Sequence, residues 1–207
     1  MSDERDPEQK IRQAWDAKDF GAAATLALEA YADEIVDFLS SRLRSDSDAR
    51  EAFSMFAEDL WTGLPRFGWR SSARTWLYAL ARNAANRYVS SPHNRARRHV
   101  ALSEPEGLSQ FIERARTATE AYRRTDVKDR IRALRERLTD DEQMLLVLRI
   151  DRDMAWRDIA LAMHGEVDLS NDAVARESTR LRKVFERVKA ELKRMAEAEG
   201  LLGPHSA

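Results

Sequence analysis

Three side chains on one predicted helix have the chemistry to bind an unpaired nucleic-acid base. Trp76, Asn83 and Arg87 are separated by seven and four residues, so a helix places them in one stripe. A flat ring can stack on a base, and an amide and a guanidinium can hydrogen-bond to its edge. Large rings also dominate the buried area of protein cores, so Trp76 alone is more typical of a core position. The stripe as a whole predicts a site for an unstacked base.

The charges around this stripe are segregated along the chain. Residues 1–67 hold fifteen acids and eight bases, whereas residues 68–100 hold no acid. The second segment contains seven arginines, which are Arg70, Arg74, Arg82, Arg87, Arg95, Arg97 and Arg98. Such a block is typical of a polyanion partner. The alternative is a solvated helix face, but surface helices usually mix both signs.

The stripe requires a helix that begins near residue 72 and ends near residue 90. Ser71 or Ser72 is a suitable N-cap, because a hydroxyl can accept from the free amides of the first turn. The proline at position 92 ends the helix. The predicted apolar face consists of Leu77, Leu80, Ala81, Ala84 and Tyr88.

The motif F-x-x-x-S-S-x-R-T-W-L-Y-x-L-A-R-N, at residues 67–83, resembles region 2 of bacterial sigma factors. The similarity is greatest to the extracytoplasmic-function (ECF) subgroup of the sigma-70 family. The resemblance implies that this segment separates the promoter strands at the minus-ten element and that a loop then holds a flipped base of the non-template strand. The residues that it assigns to minus-ten DNA are Phe67, Gly68, Trp69, Arg70, Ser71, Ser72, Arg74, Trp76, Arg82, Asn83, Asn86 and Arg87.

A second implication concerns the helix that precedes the motif. In the family this helix docks on RNA polymerase through a pattern like D-A-E-D-L-V-Q-E, which aligns with residues 48–55. Asp48 and Glu51 fit this pattern, whereas Ser54 and Met55 depart from it. Acids one turn later complete the residues predicted to contact core polymerase: Asp48, Glu51, Glu58 and Asp59. On composition alone, these acids are equally compatible with a role in solubility.

The composition predicts an all-α, cytoplasmic protein. Helical periodicity prevails over alternation, and seven Gly and five Pro are few for a β-sandwich. The absence of Cys excludes a disulfide framework and fits a reducing compartment. The charged N-terminus lacks a signal-peptide core, and the longest apolar run, residues 76–81, is too short to span a membrane.

Two small helical domains are predicted. Residues 1–98 form the region 2-like bundle, in which residues 1–9 are expected to be frayed and a first helix to begin near Gln9. Residues 99–126 are a linker with a polar helix over 108–124, and residues 201–207 are a disordered tail. Residues 127–200 form the second domain, where Thr139 and Glu142 have the spacing of a capping box.

The second domain has the layout of a helix-turn-helix, with a short helix, a turn and a long basic helix. It resembles sigma region 4, which reads the minus-thirty-five element in the major groove. Residues 173–195 contain eight bases and three acids, although an amphipathic helix of mixed charge would look similar. The residues expected at minus-thirty-five DNA are Asn171, Arg176, Thr179, Arg180, Lys183 and Arg187.

No constellation for catalysis appears in the sequence. The four histidines are scattered, no two of them are four residues apart, and no glycine-rich phosphate loop is present. We therefore expect no enzymatic activity, no cofactor and no metal.

Three functions remain open at this point. The first is a sigma factor whose partners are core RNA polymerase and promoter DNA, both as duplex and as non-template single strand; an anti-sigma protein is a further partner that the family allows. The second is a helix-turn-helix regulator that acts without polymerase. The third is a degenerate sigma-like scaffold, which only the departure at Ser54 and Met55 favours.

Overall fold

The computed structural model describes residues 6–43, 45–91, 130, 133–164 and 169–201. Its helices are α1 (Pro7–Asp16), α2 (Phe20–Leu43), α3 (Asp46–Gly63), α4 (Ala73–Ser90), α5 (Asp140–Leu146), α6 (Trp156–His164) and α7 (Asn171–Ala198). A 3-10 turn, Leu64–Arg66, follows α3, and a π-helical turn, Val147–Asp151, follows α5. These residues contain no strand, so the all-α prediction is confirmed. The predicted linker, its polar helix and residues 202–207 of the tail lie outside the described residues.

The centre of the fold is α4. It packs against α2 and α3 on one side and against α6 on another. The five residues of its predicted apolar face are all buried, which confirms that face. Burial extends around the helix to Thr75, Tyr78, Ala79 and Ala85. The ring of Tyr78 packs on Phe38 of α2, and α6 covers a further side that periodicity alone would leave open.

The N-terminus of α4 is capped twice. Ser72 is the N-cap, and its hydroxyl accepts from the amide of Thr75 at 3.1 Å. The carboxylate of Glu8 accepts from the amides of Ala73 and Arg74 at 2.7 and 2.9 Å. An anion at this position satisfies free amides and complements the helix dipole. The hydroxyl of Tyr31 donates to the same carboxylate at 3.0 Å and helps to fix it.

Glu8 shows that one prediction is wrong. Residues 6–9 are not frayed, because α1 begins at Pro7 with Asp6 as its N-cap. Proline suits the first helical position, where its missing N–H would have no partner. Asp6 and Pro7 therefore start α1, and the carboxylate of Glu8, the second residue of this helix, contacts the N-terminus of α4.

The C-terminal helices α5, α6 and α7 form a second layer on this core. Buried apolar side chains make one continuous cluster from Ile11 in α1 to Val188 in α7. Val174, Leu181 and Phe185 form the buried stripe of α7, and Ser170 is the N-cap of this helix. Within the described part of the chain, no helix has the length and apolarity needed to cross a membrane.

The predicted capping box at the start of α5 is present. Thr139 accepts from the amide of Glu142, and the Glu142 carboxylate accepts from the amide of Thr139 at 3.0 Å. Arg187 of α7 donates to the same carboxylate at 2.8 Å. Burial by itself would raise the pKa of Glu142, but the hydrogen bonds from Thr139 and Arg187 outweigh it and lower that pKa.

Replacing this carboxylate should destabilise the chain in a pH-dependent way. At neutral pH, Glu142→Ala should reduce the free energy of unfolding by about 0.5–2 kcal/mol, since the cap and the link to α7 are both lost. Because the folded pKa is lowered, the ionised group stabilises the fold above pH 4.5, and this contribution disappears as the pH falls through the lowered pKa. Urea unfolding at several pH values measures both effects.

The matched control is Glu186→Ala, because Glu186 is an exposed acid that pairs with Lys189, one turn away on the same helix rather than on another one. This variant should differ little from the parent. Equal losses for Glu142→Ala and Glu186→Ala would contradict the role of the capping box.

Candidate nucleic-acid interface

An aromatic cluster forms at the loop before α4. The rings of Phe67 and Trp76 are stacked, with centroids 4.5 Å apart and an interplanar angle of 16°. Phe67 and Trp76 are only 6% and 8% exposed. The two side chains expected to stack on a base therefore stack on each other, as the core interpretation of Trp76 anticipated.

Trp69 fixes the conformation of the loop. It has a φ of 52°, in the left-handed region that a bulky residue rarely adopts. Its ring contacts those of Phe67 and Trp15, with centroids 4.8 and 6.1 Å away. The guanidinium of Arg12 lies over the same ring, 4.7 Å from its centroid. These contacts keep the backbone in a strained conformation, which is a feature that binding loops often have.

A cavity of about 940 Å³ opens between this loop and the C-terminal helices. Phe67, Arg70 and Trp76 contribute to one wall. Arg157 and Asn171 contribute to the opposite wall. A cavity of this size, with stacked rings and arginines in its lining, has room for a nucleotide and groups for both its base and its phosphate.

The arginines of α4 each contact a carboxylate from another helix. Arg74 pairs with Glu34 at 2.9 Å, and Arg82 pairs with Asp141 at 3.0 Å. Arg87 pairs with Asp59. The three positive charges of α4 that the sequence assigns to DNA are thus paired with carboxylates within the chain.

The two amides of the predicted minus-ten site have different surroundings. Asn86 accepts a hydrogen bond from Arg42 at 2.7 Å through its side-chain oxygen. Asn83 is half-buried, one turn before Arg87. Asn83 thus lies at the edge of the packed face rather than within the core.

The predicted minus-thirty-five residues lie along α7. Arg176, Thr179 and Lys183 are exposed. Arg180 donates to Glu177 at 2.8 Å, and this hydrogen bond is the main cause that lowers the pKa of Glu177. Arg187 pairs with Glu142, as described above. Asn171 begins the helix, and its side-chain oxygen accepts from Arg157 at 3.4 Å.

The four acids expected at core polymerase divide into two pairs. Glu51 and Glu58 are exposed on α3. Asp48 accepts from the hydroxyl of Tyr88 at 2.8 Å, and Asp59 pairs with Arg87. Glu51 and Glu58 are therefore accessible to a partner, whereas Asp48 and Asp59 connect α3 to α4.

Several residues in and around the candidate site were missed by sequence reasoning. Trp61 is 63% exposed on α3, three residues after Glu58, so a helical wheel could have found it on the acidic side. Other residues contact the candidate site from distant positions in the sequence. No local sequence pattern indicates them, because their contacts depend on how the helices pack. They are Glu8, Glu34, Arg42, Asp140, Asp141 and Arg152.

Comparison with known proteins identifies part of the chain. Residues 27–96, which are seventy of the 207, match the family model described as sigma-70 region 2. This match covers α3, α4 and most of α2. No curated protein matches the chain. Among the described residues, no group of three or more His, Asp or Glu side chains is arranged to bind a metal ion.

The packing predicts a large effect on stability at Phe67 and a small one at Asn83. Phe67→Ala should reduce the free energy of unfolding by about 3 kcal/mol, because it leaves a cavity beside Trp76. Asn83→Ala should change it by no more than about 0.5 kcal/mol, because the amide is at the edge. Urea unfolding of the two variants checks this difference, and a parent-like midpoint for Phe67→Ala would contradict the core role of that ring.

Proposed function

We propose that this chain is a sigma factor of the ECF subgroup, which binds core RNA polymerase and directs promoter recognition and opening. The observation that carries the proposal is the region 2 match over residues 27–96, centred on an acid-free arginine helix. The proposal includes the predicted division into a minus-ten domain over residues 1–98 and a minus-thirty-five domain over 127–200. It also includes action in the cytoplasm without catalysis by the chain itself.

At the minus-ten element, the loop and α4 capture a base that leaves the duplex. Extruding a base forfeits stacking and pairing worth a few kcal/mol. Stacking on an aromatic ring recovers about 1–3 kcal/mol per base. Phe67 and Trp76 stand beside the cavity, where a base can stack once the lining adjusts. Asn83 offers an amide that can read the edge of that base.

The arginines of α4 then bind the single-strand backbone. Arg74, Arg82 and Arg87 already lie against carboxylate oxygens, so a phosphate can take the place of each carboxylate. Binding through them should weaken steeply with added salt, because it releases counterions from the DNA.

The acidic side of α3 is proposed to dock on core polymerase. Glu51 and Glu58 provide exposed charge, and Trp61 provides an exposed ring of the type that dominates binding energy at interfaces. This surface does not depend on the pattern positions where Ser54 and Met55 depart from the family.

The long helix α7 is proposed to read the minus-thirty-five element. Arg176 is exposed at its start and is suited to a base edge, while Lys183 is suited to phosphate. Arg180 and Arg187 have to leave Glu177 and Glu142 before they can contact DNA.

A helix-turn-helix regulator that acts without polymerase is the second candidate. It is favoured by the exposed basic side of α7, which any such regulator would share. The two candidates differ in one requirement, since only a sigma factor opens DNA together with core polymerase. A degenerate scaffold would bind polymerase and fail to open DNA.

The decisive experiment is promoter opening by the chain with purified core polymerase. Permanganate footprinting of unpaired thymines should show a bubble with the parent chain. Asn83→Ala should fold normally, bind core polymerase and lose the bubble, because the amide that reads the flipped base is gone. The control is Gln9→Ala, which removes an exposed amide from α1 and should keep the bubble.

Each alternative result has a definite meaning. A bubble of parent intensity with Asn83→Ala would remove Asn83 from the site. Duplex binding by the parent without polymerase, and no bubble with it, would favour the regulator. Polymerase binding with no bubble on any promoter would favour the scaffold.

A charge reversal on α3 tests the polymerase surface. Glu51→Arg combined with Glu58→Arg should weaken binding to core polymerase by about tenfold or more, because complementary charge contributes to both affinity and association rate. Fluorescence titration measures the affinity. Glu29→Arg combined with Asp33→Arg makes the same charge change at exposed acids of α2 and should bind like the parent. If both double variants lose affinity equally, α3 has no specific role in docking.

A further inference from the structure

Helix α1 contacts the loop that the proposed function gives to the extruded base. We propose that α1 is a positioning element that holds this loop, residues 67–72, in the conformation that captures the base. The side chains responsible are Glu8, Arg12 and Trp15. The inference rests on the proposed function and adds residues to it, because α1 lies outside the region 2 match at residues 27–96.

The three side chains belong to one face of α1. Glu8, Arg12 and Trp15 are separated by four and three residues, which is the spacing of neighbours on a helix surface. Ile11 lies on the same face and is fully buried, so it anchors α1 to the core. Because this anchor fixes the position of the helix, the groups beside it can act as fixed points for the loop.

Helix α1 holds the backbone on both sides of the loop. Before the loop, the indole Nε1 of Trp15 donates to the carbonyl oxygen of Leu64 at 2.7 Å. After the loop, the carboxylate of Glu8 accepts from the amides of Ala73 and Arg74 at 2.7 and 2.9 Å. Contacts at both ends reduce the number of paths that the backbone between them can follow.

The middle of the loop is held through an aromatic ring. The guanidinium of Arg12 lies 4.7 Å from the centroid of the Trp69 ring. The ring of Trp15 meets the same ring edge-on, with centroids 6.1 Å apart. Both contacts act on the residue whose φ of 52° is strained, so they help to keep the backbone in a conformation that it would otherwise leave more readily.

The ring of Trp69 connects α1 to the cavity. It contacts the ring of Phe67 with centroids 4.8 Å apart, and Phe67 stacks on Trp76 in the cavity wall. Three further residues of the loop line the same cavity, and they are Gly68, Arg70 and Ser71. The groups that would meet a base therefore belong to a loop that α1 holds at its start, its middle and its end.

The carboxylate of Glu8 is itself held in place. The hydroxyl of Tyr31 donates to it at 3.0 Å. Burial and the neighbouring Glu8 carboxylate raise the pKa of Tyr31, so the hydroxyl keeps the proton that it donates. A carboxylate with a fixed orientation positions the N-terminus of α4 more precisely than a mobile one, as supporting contacts around a binding site generally do.

Positioning has a consequence that stability alone does not have. A loop that is ordered before DNA binds loses less conformational freedom when it captures a base. It also presents its groups in one geometry, and discrimination between bases depends on that geometry. Loss of an α1 contact should therefore lower discrimination between bases, whereas a small loss of stability elsewhere in the fold should not.

The first test measures order in the loop of the full chain without DNA. Glu8→Gln leaves one acceptor oxygen for two amides, and Trp15→Phe keeps a ring but removes the donor to Leu64. In both variants, the backbone amides of residues 67–72 should exchange hydrogen about three- to tenfold faster than in the parent. Exchange in α7 should keep the parent rate, because this helix packs on α5 and α6.

The second test measures base discrimination by the chain bound to core polymerase. Permanganate footprinting locates the upstream edge of the bubble, and fluorescent strands are then made that differ only in the base at that edge. Glu8→Gln and Trp15→Phe should reduce the ratio of the strongest to the weakest affinity by about three- to tenfold. The affinity of both variants for core polymerase should equal that of the parent.

Two controls separate positioning from stability. Gln9→Ala changes an exposed residue of α1 and should match the parent in both tests. Ile35→Val removes one buried methyl group from α2, so it should lower the midpoint of urea unfolding and leave base discrimination unchanged. If Ile35→Val lowers discrimination as much as Glu8→Gln does, the effect is one of stability and the proposal is wrong.

The results also distinguish this proposal from the proposed function. If the parent forms a bubble and the two α1 variants keep either its loop exchange or its base discrimination, the positioning role is overturned and the proposed function stands. If the parent forms no bubble with core polymerase, the proposed function is overturned, and the role of α1 in base capture is overturned with it.

Discussion

The structure depends on the charge of a central helix that has no acid of its own. Helix α4 carries Arg74, Arg82 and Arg87 between helices that bury most of its surface. A cation that is partly removed from water needs an anion nearby. Neighbouring elements supply those anions from α2, α3 and the start of α5, and α1 supplies another for the helix N-terminus. The arrangement of every element around α4 is therefore constrained by charge as well as by apolar packing.

The same constraint explains how one helix can be both core and binding surface. Its apolar residues pack permanently against α2 and α3, so the helix remains folded when its other side is uncovered. Its arginines need a neighbouring anion, but this anion does not have to be a carboxylate, because a phosphate forms hydrogen bonds to a guanidinium at least as well. In the proposed function, promoter DNA thus replaces countercharges that the chain otherwise supplies itself. The binding surface is in this sense already formed before DNA arrives.

Sequence reasoning identified local features of this fold well. The apolar face of α4, the cap at Ser72 and the capping box at Thr139 depend on residues within one or two turns, and such patterns are readable along the chain. The carboxylate of Glu8 contacts amides that are sixty-five and sixty-six residues away, so no local pattern indicates it. The pairing of Arg82 with Asp141 spans fifty-nine residues and depends on how α5 packs on the earlier helices. Sequence reasoning left Trp76 as either a core ring or part of a site, and the structure places it in a buried, stacked pair beside a cavity.

Helix α3 carries both acids that face solvent and acids that bind residues of α4. Its exposed acids, Glu51 and Glu58, face solvent, while Asp48 and Asp59 on the same helix bond to Tyr88 and Arg87 near the end of α4. A partner that docks on the exposed acids therefore binds a helix that directly contacts a predicted DNA-binding arginine. Because Asp59 and the exposed acids belong to one continuous helix of eighteen residues, a small rotation of that helix on docking would move Asp59 relative to Arg87. In the proposed function, such a rotation would free the Arg87 guanidinium for a DNA phosphate while core polymerase is bound.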